Sequence, residues 1–252
     1  MTQLFENVVQ KPRSTSRGPC ELPILYRDGS WFGVFYRIDV ARANRLLDGT
    51  GLEAMPLLGK ALVTIQAWEY RDSTVGRYGE LGLGIQTRKR GSAPSLLKYA
   101  LDQRKQPDQG IWVVTLPVTT EPAWAAGVEI WGYPKYVTPI ETRFDDRAYV
   151  RLGDELEMTL DPVHGPATPS VPLVTFTGLG GRMVRTVIET HSKMRWGSGG
   201  RARVRLLGGE GKTASAVRKL GLEDEKPLLA FRCDAFRAVL PAGEDVGFAM
   251  PC

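Results

Sequence analysis

Residues 121–136 have the sequence EPAWAAGVEIWGYPKY, which is the most informative stretch of the chain. It places Lys135 among the aromatic residues Trp131, Tyr133 and Tyr136. A lysine enclosed by apolar groups has a lowered pKa because its ammonium loses solvation, and the neutral amine attacks ketones and aldehydes. The pattern indicates a nucleophilic amine aimed into a pocket. A surface lysine whose stem lies on an aromatic ring is the alternative that these residues leave open.

The stretch resembles the active-site signature of the acetoacetate decarboxylase family, in which Glu-Pro leads through small residues and Gly-x-Glu to Tyr-Pro-Lys. Weaker similarity to that family extends over nearly the whole chain. It covers a strand with a Tyr-Arg-x-Asp ending, a Tyr-x-Glu and a closing Leu-Pro segment, which correspond here to WFGVFYRID (residues 31–39), YGE (78–80) and LPAGE (240–244).

The resemblance implies that the protein forms a Schiff base. Lys135 matches the lysine that forms it, and Glu80 matches an acidic residue in the pocket wall, so both are predicted to be catalytic. Glu129 matches the glutamate of Gly-x-Glu, for which a place in the substrate pocket and a structural salt bridge are equal alternatives. The aromatic residues near the lysine would also line the substrate pocket, namely Trp131, Tyr133 and Tyr136. Neither a cofactor nor a metal is expected.

Several residues that accompany the lysine in the acetoacetate-specific enzymes are replaced in this chain. Tyr136 stands where those enzymes have a second lysine, and their Gly-Arg-Glu is Gly-Val-Glu at residues 127–129. An arginine associated with the substrate carboxylate aligns with Gly29, and a second pocket glutamate is replaced near Ile65 or Gln66. Desolvation alone would then activate the amine, and a tyrosine next to it could supply a hydroxyl for proton transfer.

Three functions remain open. The first is a lyase that decarboxylates a β-keto acid other than acetoacetate through an imine on Lys135. The second is an aldolase or dehydratase that acts on a 2-keto acid through the same imine, because the protonated imine is an electron sink in either reaction. The third is a non-catalytic member of the fold that binds a small ligand. The expected partners are therefore a small keto acid or another carbonyl compound and further copies of the chain in a homo-oligomer.

The predicted fold class is α+β and mostly β, a closed antiparallel β-barrel with peripheral helices in one domain over residues 1–252. Asp39 is predicted to cap a short helix through Leu47, and Thr213 to open a helix that stops at Gly221. A turn is predicted at Asp28-Gly29, and residues 94–102 fit a helix or an extended loop. Strands are predicted at residues 31–38, 61–68, 111–118, 148–152, 156–160, 171–177, 183–190, 201–207 and 227–232.

Composition argues against several other classes of protein. Three cysteines without a CxxC pair and two histidines, His164 and His191, disfavour a disulfide framework and a metal centre. The net charge of +5 is dispersed along the chain, so neither nucleic-acid nor membrane binding is expected. No apolar run approaches the ~20 residues of a membrane span, and residues 1–20 lack an apolar stretch of the signal-peptide type. The expected location is cytoplasmic.

Residues 208–213 (GGEGKT) come close to a phosphate-binding loop between a strand and a helix. A complete P-loop needs a glycine at position 206, where this chain has Leu206, and Glu210 adds a negative charge. An ordinary strand-to-helix turn is therefore predicted here.

Overall fold

The computed structural model of the protein describes residues 4–93 and 102–249. Within them the α-helices are α1 (Val40–Leu46), α2 (Glu121–Trp131) and α3 (Lys212–Leu220). Short 3-10 turns cover Gln103–Lys105 and Gly199–Arg201. The strands are β1 (Lys11–Thr15), β2 (Gly18–Leu22), β3 (Ile24–Ile38), β4 (Leu52–Ala54), β5 (Pro56–Leu57), β6 (Lys60–Ser73), β7 (Tyr78–Lys89), β8 (Gln109–Thr115), β9 (Ile140–Phe144), β10 (Ala148–Leu152), β11 (Leu156–Leu160), β12 (Ala167–Pro169), β13 (Leu173–Leu179), β14 (Arg182–Thr190), β15 (Lys193–Ser198), β16 (Ala202–Leu206), β17 (Leu229–Cys233), β18 (Ala238–Leu240) and β19 (Glu244–Ala249).

Seven strands close a barrel in the cyclic order β3, β18, β14, β13, β8, β7, β6, with β6 returning to β3. The β3–β6 pairing that closes it runs from Tyr26↔Ser73 to Ile38↔Ala61. Strands β17, β15 and β12 extend the sheet from β3. A separate four-stranded sheet has the order β16, β11, β10, β9, and β1 and β2 form a hairpin.

The barrel confirms the predicted mostly-β fold with peripheral helices, but its strands are not all antiparallel. Strands β8 and β13 pair in parallel through Thr175↔Ile111 and Phe176↔Trp112. A tight hairpin forces antiparallel pairing, whereas a long connection does not. Helix α2 and strands β9 to β12 lie between β8 and β13 in the chain, so the purely antiparallel prediction was wrong at this pair.

Strands β6 and β7 bury both of their faces. The even-numbered residues of β6 from Thr64 to Tyr70 line a cavity inside the barrel, as Glu80 of β7 does. The odd-numbered residues of β6 at 63, 65 and 67 and Leu81 of β7 pack outward into a second core. This division follows from the two-residue period of a strand. The second core also includes residues of the four-stranded sheet, α1 and α3, so that sheet covers the outside of the barrel wall.

A bulge in β3 changes which of its residues point inward. The register of β3 against β6 shifts on both sides of Asp28. Tyr26 before the shift and Trp31 after it belong to the same buried aromatic cluster, although an odd number of positions separates them. An extra residue in one strand reorients the side chains that follow it. The predicted turn at Asp28-Gly29 was therefore wrong, because the strand continues through it.

Most predicted elements are confirmed, with boundaries that differ by a few residues. The side chain of Asp39 caps α1 by accepting from the backbone N–H of Ala41 at 2.9 Å, and Gly221 ends α3 with a φ of 66°. The β10–β11 hairpin and the other predicted strands are present. Helix α2 and ten strands were missed, namely β1, β2, β4, β5, the glycine-rich β7, β9, β12, β15, β18 and β19. Residues 94–101 of the ambiguous segment lie outside the described residues.

None of the helices in the described part of the chain has the length and apolar content that a bilayer crossing requires. His164 and His191 are both exposed.

Candidate active site

Val118 connects the segment that carries Lys135 to strand β7. Its backbone N–H donates to the carbonyl of Tyr136 at 2.9 Å, and it forms a parallel bridge with Val137. On its other side Val118 forms an antiparallel bridge with Glu80. Residues far apart in sequence are thus brought to the two sides of one short extended segment, which explains how Lys135 and Glu80 meet.

Gly132 directs the chain from α2 into this segment. It ends the helix in the left-handed conformation, with a φ of 67°, and its N–H donates to the carbonyl of Val128 at 3.0 Å. A Cβ atom at this position would lie 2.1 Å from the carbonyl oxygen of Gly178. Both the backbone conformation and the close approach require glycine.

Lys135 and Glu80 form a buried ion pair. The Lys135 Nζ atom lies 2.5 Å from Glu80 Oε2, and the two side chains are only 5% and 8% exposed. The second carboxylate oxygen of Glu80 accepts a hydrogen bond from the hydroxyl of Tyr70 at 3.3 Å. The carboxylate is thus fixed on both sides, by an amine and by a phenol.

Helix α2 forms one wall of the site. Ala123, Ala126, Gly127 and Trp131 share one helical face and line the cavity. A Cβ atom at Gly127 would lie 2.3 Å from Lys135 Cε and 2.4 Å from Lys135 Cδ. The lysine side chain therefore passes over the helix at a point where only glycine leaves room for it.

Four buried tyrosines surround the ion pair. Tyr26 and Tyr78 share a hydrogen bond between their hydroxyls at 3.0 Å, and the Tyr133 hydroxyl bonds to Thr175 Oγ1 at 2.8 Å. Burial raises the pKa of Tyr26, Tyr70, Tyr78 and Tyr133 above the ordinary value of ~10. These phenols therefore stay protonated at neutral pH and can donate hydrogen bonds.

The cavity beside Lys135 has a volume of about 90 Å³. One buried water needs ~10–15 Å³ by the same measure, so the cavity has room for a small organic molecule. Among the described residues that line it, Lys135 is the one basic residue and Glu80 is the one acidic residue. Most of the other lining side chains are apolar or aromatic, including Trp68, Val113, Leu116, Leu173, Ile188, Phe236 and Leu240.

Four of the six predicted site residues come together at this cavity, namely Lys135, Glu80, Trp131 and Tyr133. The structure does not bring Glu129 or Tyr136 to it. Glu129 lies on the exposed side of α2 and accepts hydrogen bonds from the backbone and hydroxyl of Ser16. The Tyr136 hydroxyl bonds to Glu155 Oε1 and to Thr213 Oγ1, both at 2.8 Å, because successive side chains of an extended segment point to opposite sides.

Glu155 occupies the helix N-terminus that resembles a phosphate-binding loop. Its Oε2 atom accepts from the backbone N–H groups of Thr213 and Ala214, both at 2.9 Å. A Cβ atom at Gly211 would lie 2.0 Å from its carboxyl carbon, so the glycine makes room for this carboxylate. The donors that would bind a phosphate are used by a side chain of the same chain, and the predicted strand-to-helix turn is confirmed.

Two of the positions at which this chain lacks a family residue, Gly29 and Gln66, differ in whether they line the cavity. Gly29 is not among the cavity residues, and a Cβ atom there would lie 2.7 Å from the backbone oxygen of Glu69. Gln66 does line the cavity. Its Oε1 accepts from the indole N–H of Trp31 and its Nε2 donates to Thr64 Oγ1, both at 2.9 Å.

The chain matches a known family over more than half of its length. The family model described as Acetoacetate decarboxylase (ADC) matches residues 9–165. No curated protein sequence matches the chain.

Solved structures of similar fold include acetoacetate decarboxylase from Legionella pneumophila, with 18% identity, a TM-score of 0.66, and coverage of 89% of this chain and 87% of that one. The enduracididine biosynthesis enzyme MppR, complexed with pyruvate, has 16% identity and a TM-score of 0.63, and the match covers 96% of this chain and 94% of that one. An acetoacetate decarboxylase-like enzyme from Sphingomonas wittichii RW1 has 14% identity and a TM-score of 0.61, and the match covers 89% of this chain and 93% of that one. At these identities the likeness shows the fold alone.

Proposed function

Because this chain belongs to the acetoacetate decarboxylase family, we propose that it is a lyase that decarboxylates a β-keto acid other than acetoacetate through a Schiff base on Lys135. The observation that carries the proposal is the buried amine of Lys135, 2.5 Å from the Glu80 carboxylate in the wall of an apolar cavity. An amine that is enclosed in this way, beside a proton acceptor, suits nucleophilic attack on a carbonyl group.

The reaction begins when Lys135 gives up a proton and its nitrogen attacks the keto carbon. The resulting carbinolamine loses water and becomes a protonated imine. The bond between the α-carbon and the carboxylate then breaks, its electron pair moves into the imine, and CO₂ leaves an enamine on Lys135. Protonation of the enamine carbon and hydrolysis of the imine release the ketone and regenerate the amine.

Glu80 is the residue best situated to move the protons in this sequence. Its Oε2 atom can take the proton that Lys135 releases and return it to the hydroxyl that leaves the carbinolamine as water. The hydrogen bond from Tyr70 to Oε1 keeps the other oxygen occupied, so the oxygen that faces the amine is the one available for transfer.

The cavity lining supports a substrate with an apolar or aromatic substituent. Apart from the Lys135–Glu80 pair, the lining offers mostly aliphatic and aromatic surface, which favours the burial of an apolar tail. A second basic residue does not occur among the described lining residues. Such a residue is what the acetoacetate-specific enzymes place next to the catalytic lysine, so a different acid is the proposed substrate.

An aldolase or dehydratase acting on a 2-keto acid through the same imine is the second candidate. The same lack of a second basic lining residue favours it, because that residue is tied to acetoacetate. The similar fold of MppR, solved with bound pyruvate, gives a precedent for a 2-keto acid in this architecture.

A comparison of substrates separates these functions. Release of CO₂ is measured with acetoacetate and with the phenyl-substituted benzoylacetate, and condensation is measured with pyruvate and an aldehyde. We expect benzoylacetate to react and acetoacetate to remain below ~10⁴ M⁻¹s⁻¹ in kcat/KM. Lys135→Met should abolish turnover, whereas Lys60→Met, at an exposed lysine, should not.

Efficient acetoacetate turnover would contradict the proposed substrate class, and turnover by Lys135→Met would contradict the mechanism. Condensation without CO₂ release would select the second candidate. If no carbonyl compound reacted, the non-catalytic alternative would stand.

A further inference from the structure

Gly82 is the cavity residue that follows Glu80 on the inner face of strand β7. It lies two residues beyond Glu80, and both residues line the cavity. Two residues of a strand span ~6.5 Å, and Glu80 contacts the Lys135 amine directly. A carbonyl carbon bonded to the Lys135 Nζ atom would therefore carry its substituents within a few bonds of Gly82.

Two side chains cover Gly82 on the cavity side. A Cβ atom at this position would lie 3.1 Å from Leu116 Cδ1 and 3.1 Å from Trp68 Cζ3. Carbon atoms in ordinary contact are ~3.5–4.0 Å apart, so an added methyl group would have to move both neighbours. Leu116 and Trp68 also line the cavity. One wall of the cavity thus consists of two side chains that pack on a residue without a side chain.

Neither neighbour has free space on the side away from the cavity. The Trp68 ring stacks on that of Trp31, with centroids 5.9 Å apart and planes 7° apart, and Trp31 is itself buried. Leu116 is held through its backbone, whose N–H donates to the carbonyl of Pro134 at 3.1 Å, next to Lys135. Protein interiors are close-packed, so side chains displaced by a methyl group at Gly82 would move into the cavity.

A small change in this wall has a large effect on which molecules fit. The cavity has a volume of about 90 Å³, which leaves little room to spare for a bound molecule. One methylene group more or less in an apolar pocket changes discrimination between substrates by ~10–200-fold. The absence of a side chain at Gly82 therefore suits a substituent that a bulkier wall would exclude.

We propose that Leu116 and Trp68, packed on Gly82, set the largest substituent that the keto substrate can carry. The inference rests on the proposed function and assigns it Gly82 as a specificity-determining residue. Glycine keeps the wall recessed, and the substrate is a keto acid whose apolar substituent is larger than the methyl group of acetoacetate.

Alcohols that cannot form an imine test this proposal without any reaction at Lys135. 2-Propanol and 2-pentanol keep the oxygen and one methyl group of a methyl ketone and differ in the length of the other substituent. Their dissociation constants are measured by NMR titration from the methyl signals of the cavity residues Val113, Leu173 and Ile188. In Gly82→Ala we expect the affinity for 2-pentanol to fall ~10-fold or more and the affinity for 2-propanol to change much less.

Gly79→Ala is the matched control. Gly79 is on the same strand but is not among the cavity residues, and a Cβ atom there would lie 3.4 Å from Thr119 Cγ2, an ordinary contact. This variant should bind both alcohols as the wild type does. Leu116→Val makes the opposite change, because it removes the Cδ atoms that cover Gly82. We expect it to bind 2-hexanol ~10-fold or more tightly than the wild type does.

An unchanged ratio of the 2-pentanol and 2-propanol dissociation constants in folded Gly82→Ala would overturn the assignment. If that variant does not fold, the lack of a gain for 2-hexanol in Leu116→Val would overturn it. Trapping of pyruvate on Lys135 with borohydride tests the proposed function separately, so the two failures are distinguishable.

Discussion

At the scale of single residues, Glu80 is the group on which proton transfer to and from Lys135 depends. Replacing it by glutamine keeps the side-chain shape but removes the proton acceptor. We expect Glu80→Gln to slow imine formation by ~10²–10⁴-fold, the usual contribution of a positioned acid or base. The rate is measured by borohydride trapping under pseudo-first-order conditions.

Glu129→Gln is the matched control for this prediction. Glu129 lies on the exposed face of α2 and contacts Ser16, away from the cavity. We expect its replacement to leave the trapping rate unchanged. A loss of rate in Glu129→Gln comparable to that in Glu80→Gln would mean that Glu129 belongs to the catalytic site after all.

Tyr136 belongs to the network at the start of α3, so its hydroxyl should matter for stability and not for chemistry. Burial raises the pKa of this phenol, which therefore stays protonated well into the alkaline range. We expect Tyr136→Phe to lower the free energy of unfolding by about 1 kcal/mol, because Glu155 loses a partner, and to leave trapping unchanged. Urea denaturation and the trapping rate measure the two effects. A large loss of trapping with intact stability would place Tyr136 in the reaction.

Lys135 and two residues near it in sequence, Trp131 and Tyr133, could be predicted at the cavity because a motif carries them, whereas Glu129 and Tyr136 of the same stretch lie away from it. Glu80 also followed from the resemblance. Tyr26, Trp68, Tyr70 and Tyr78 were not predicted as cavity residues, since their place depends on strand register and on the bulge in β3. The alternation of even-numbered residues along β6 and β7 is a signal that could have indicated them.

At the scale of elements, the close approach of α2 to Lys135 gives a prediction at Gly127. Gly127→Ala should favour the helix itself, since alanine is better than glycine in a helix by ~0.5–1 kcal/mol. Its Cβ would, however, displace the Lys135 side chain from its path to Glu80. We expect thermal stability to be maintained and the trapping rate to fall at least ~10-fold.

Val128→Ala is the control for this change, because Val128 is in the same helix but not among the cavity residues. It should keep the wild-type trapping rate. A wild-type trapping rate in Gly127→Ala would show that the Lys135 side chain does not need the space beside Gly127 in order to react.

Helices with clear caps were predictable, whereas α2 and β7 were not. Asp39 begins α1 with a side-chain cap and Gly221 ends α3 in the left-handed conformation, and both signals are visible in the sequence. Strand β7 contains Gly79, Gly82 and Gly84, which oppose strand formation locally. Pairing with β6 and β8 overrides that preference, and such tertiary effects do not show in the local pattern.

At the scale of the whole molecule, one core connects the barrel to the sheet outside it. The outward side chains of β6 and β7 share that core with the four-stranded sheet and with α1 and α3. We therefore expect the predicted single domain to unfold in one cooperative transition, with tryptophan fluorescence and far-ultraviolet circular dichroism changing together. Two resolved transitions would indicate separate units.

The closed barrel could be predicted from the resemblance, but its mixed pairing could not. The parallel contact of β8 with β13 joins segments separated by a long connection, and nothing local specifies its direction. The homo-oligomeric state stays a prediction.

The most direct measurement of the central claim is the chemical identity of the residue that reacts with a carbonyl compound. The protein is incubated with benzoylacetate or pyruvate, reduced with sodium borohydride and digested, and the modified peptide is sequenced by mass spectrometry. We predict one stable adduct on Lys135 and none in Lys135→Met. An adduct on another lysine, or none with any carbonyl compound that the cavity can hold, would contradict the Schiff-base mechanism.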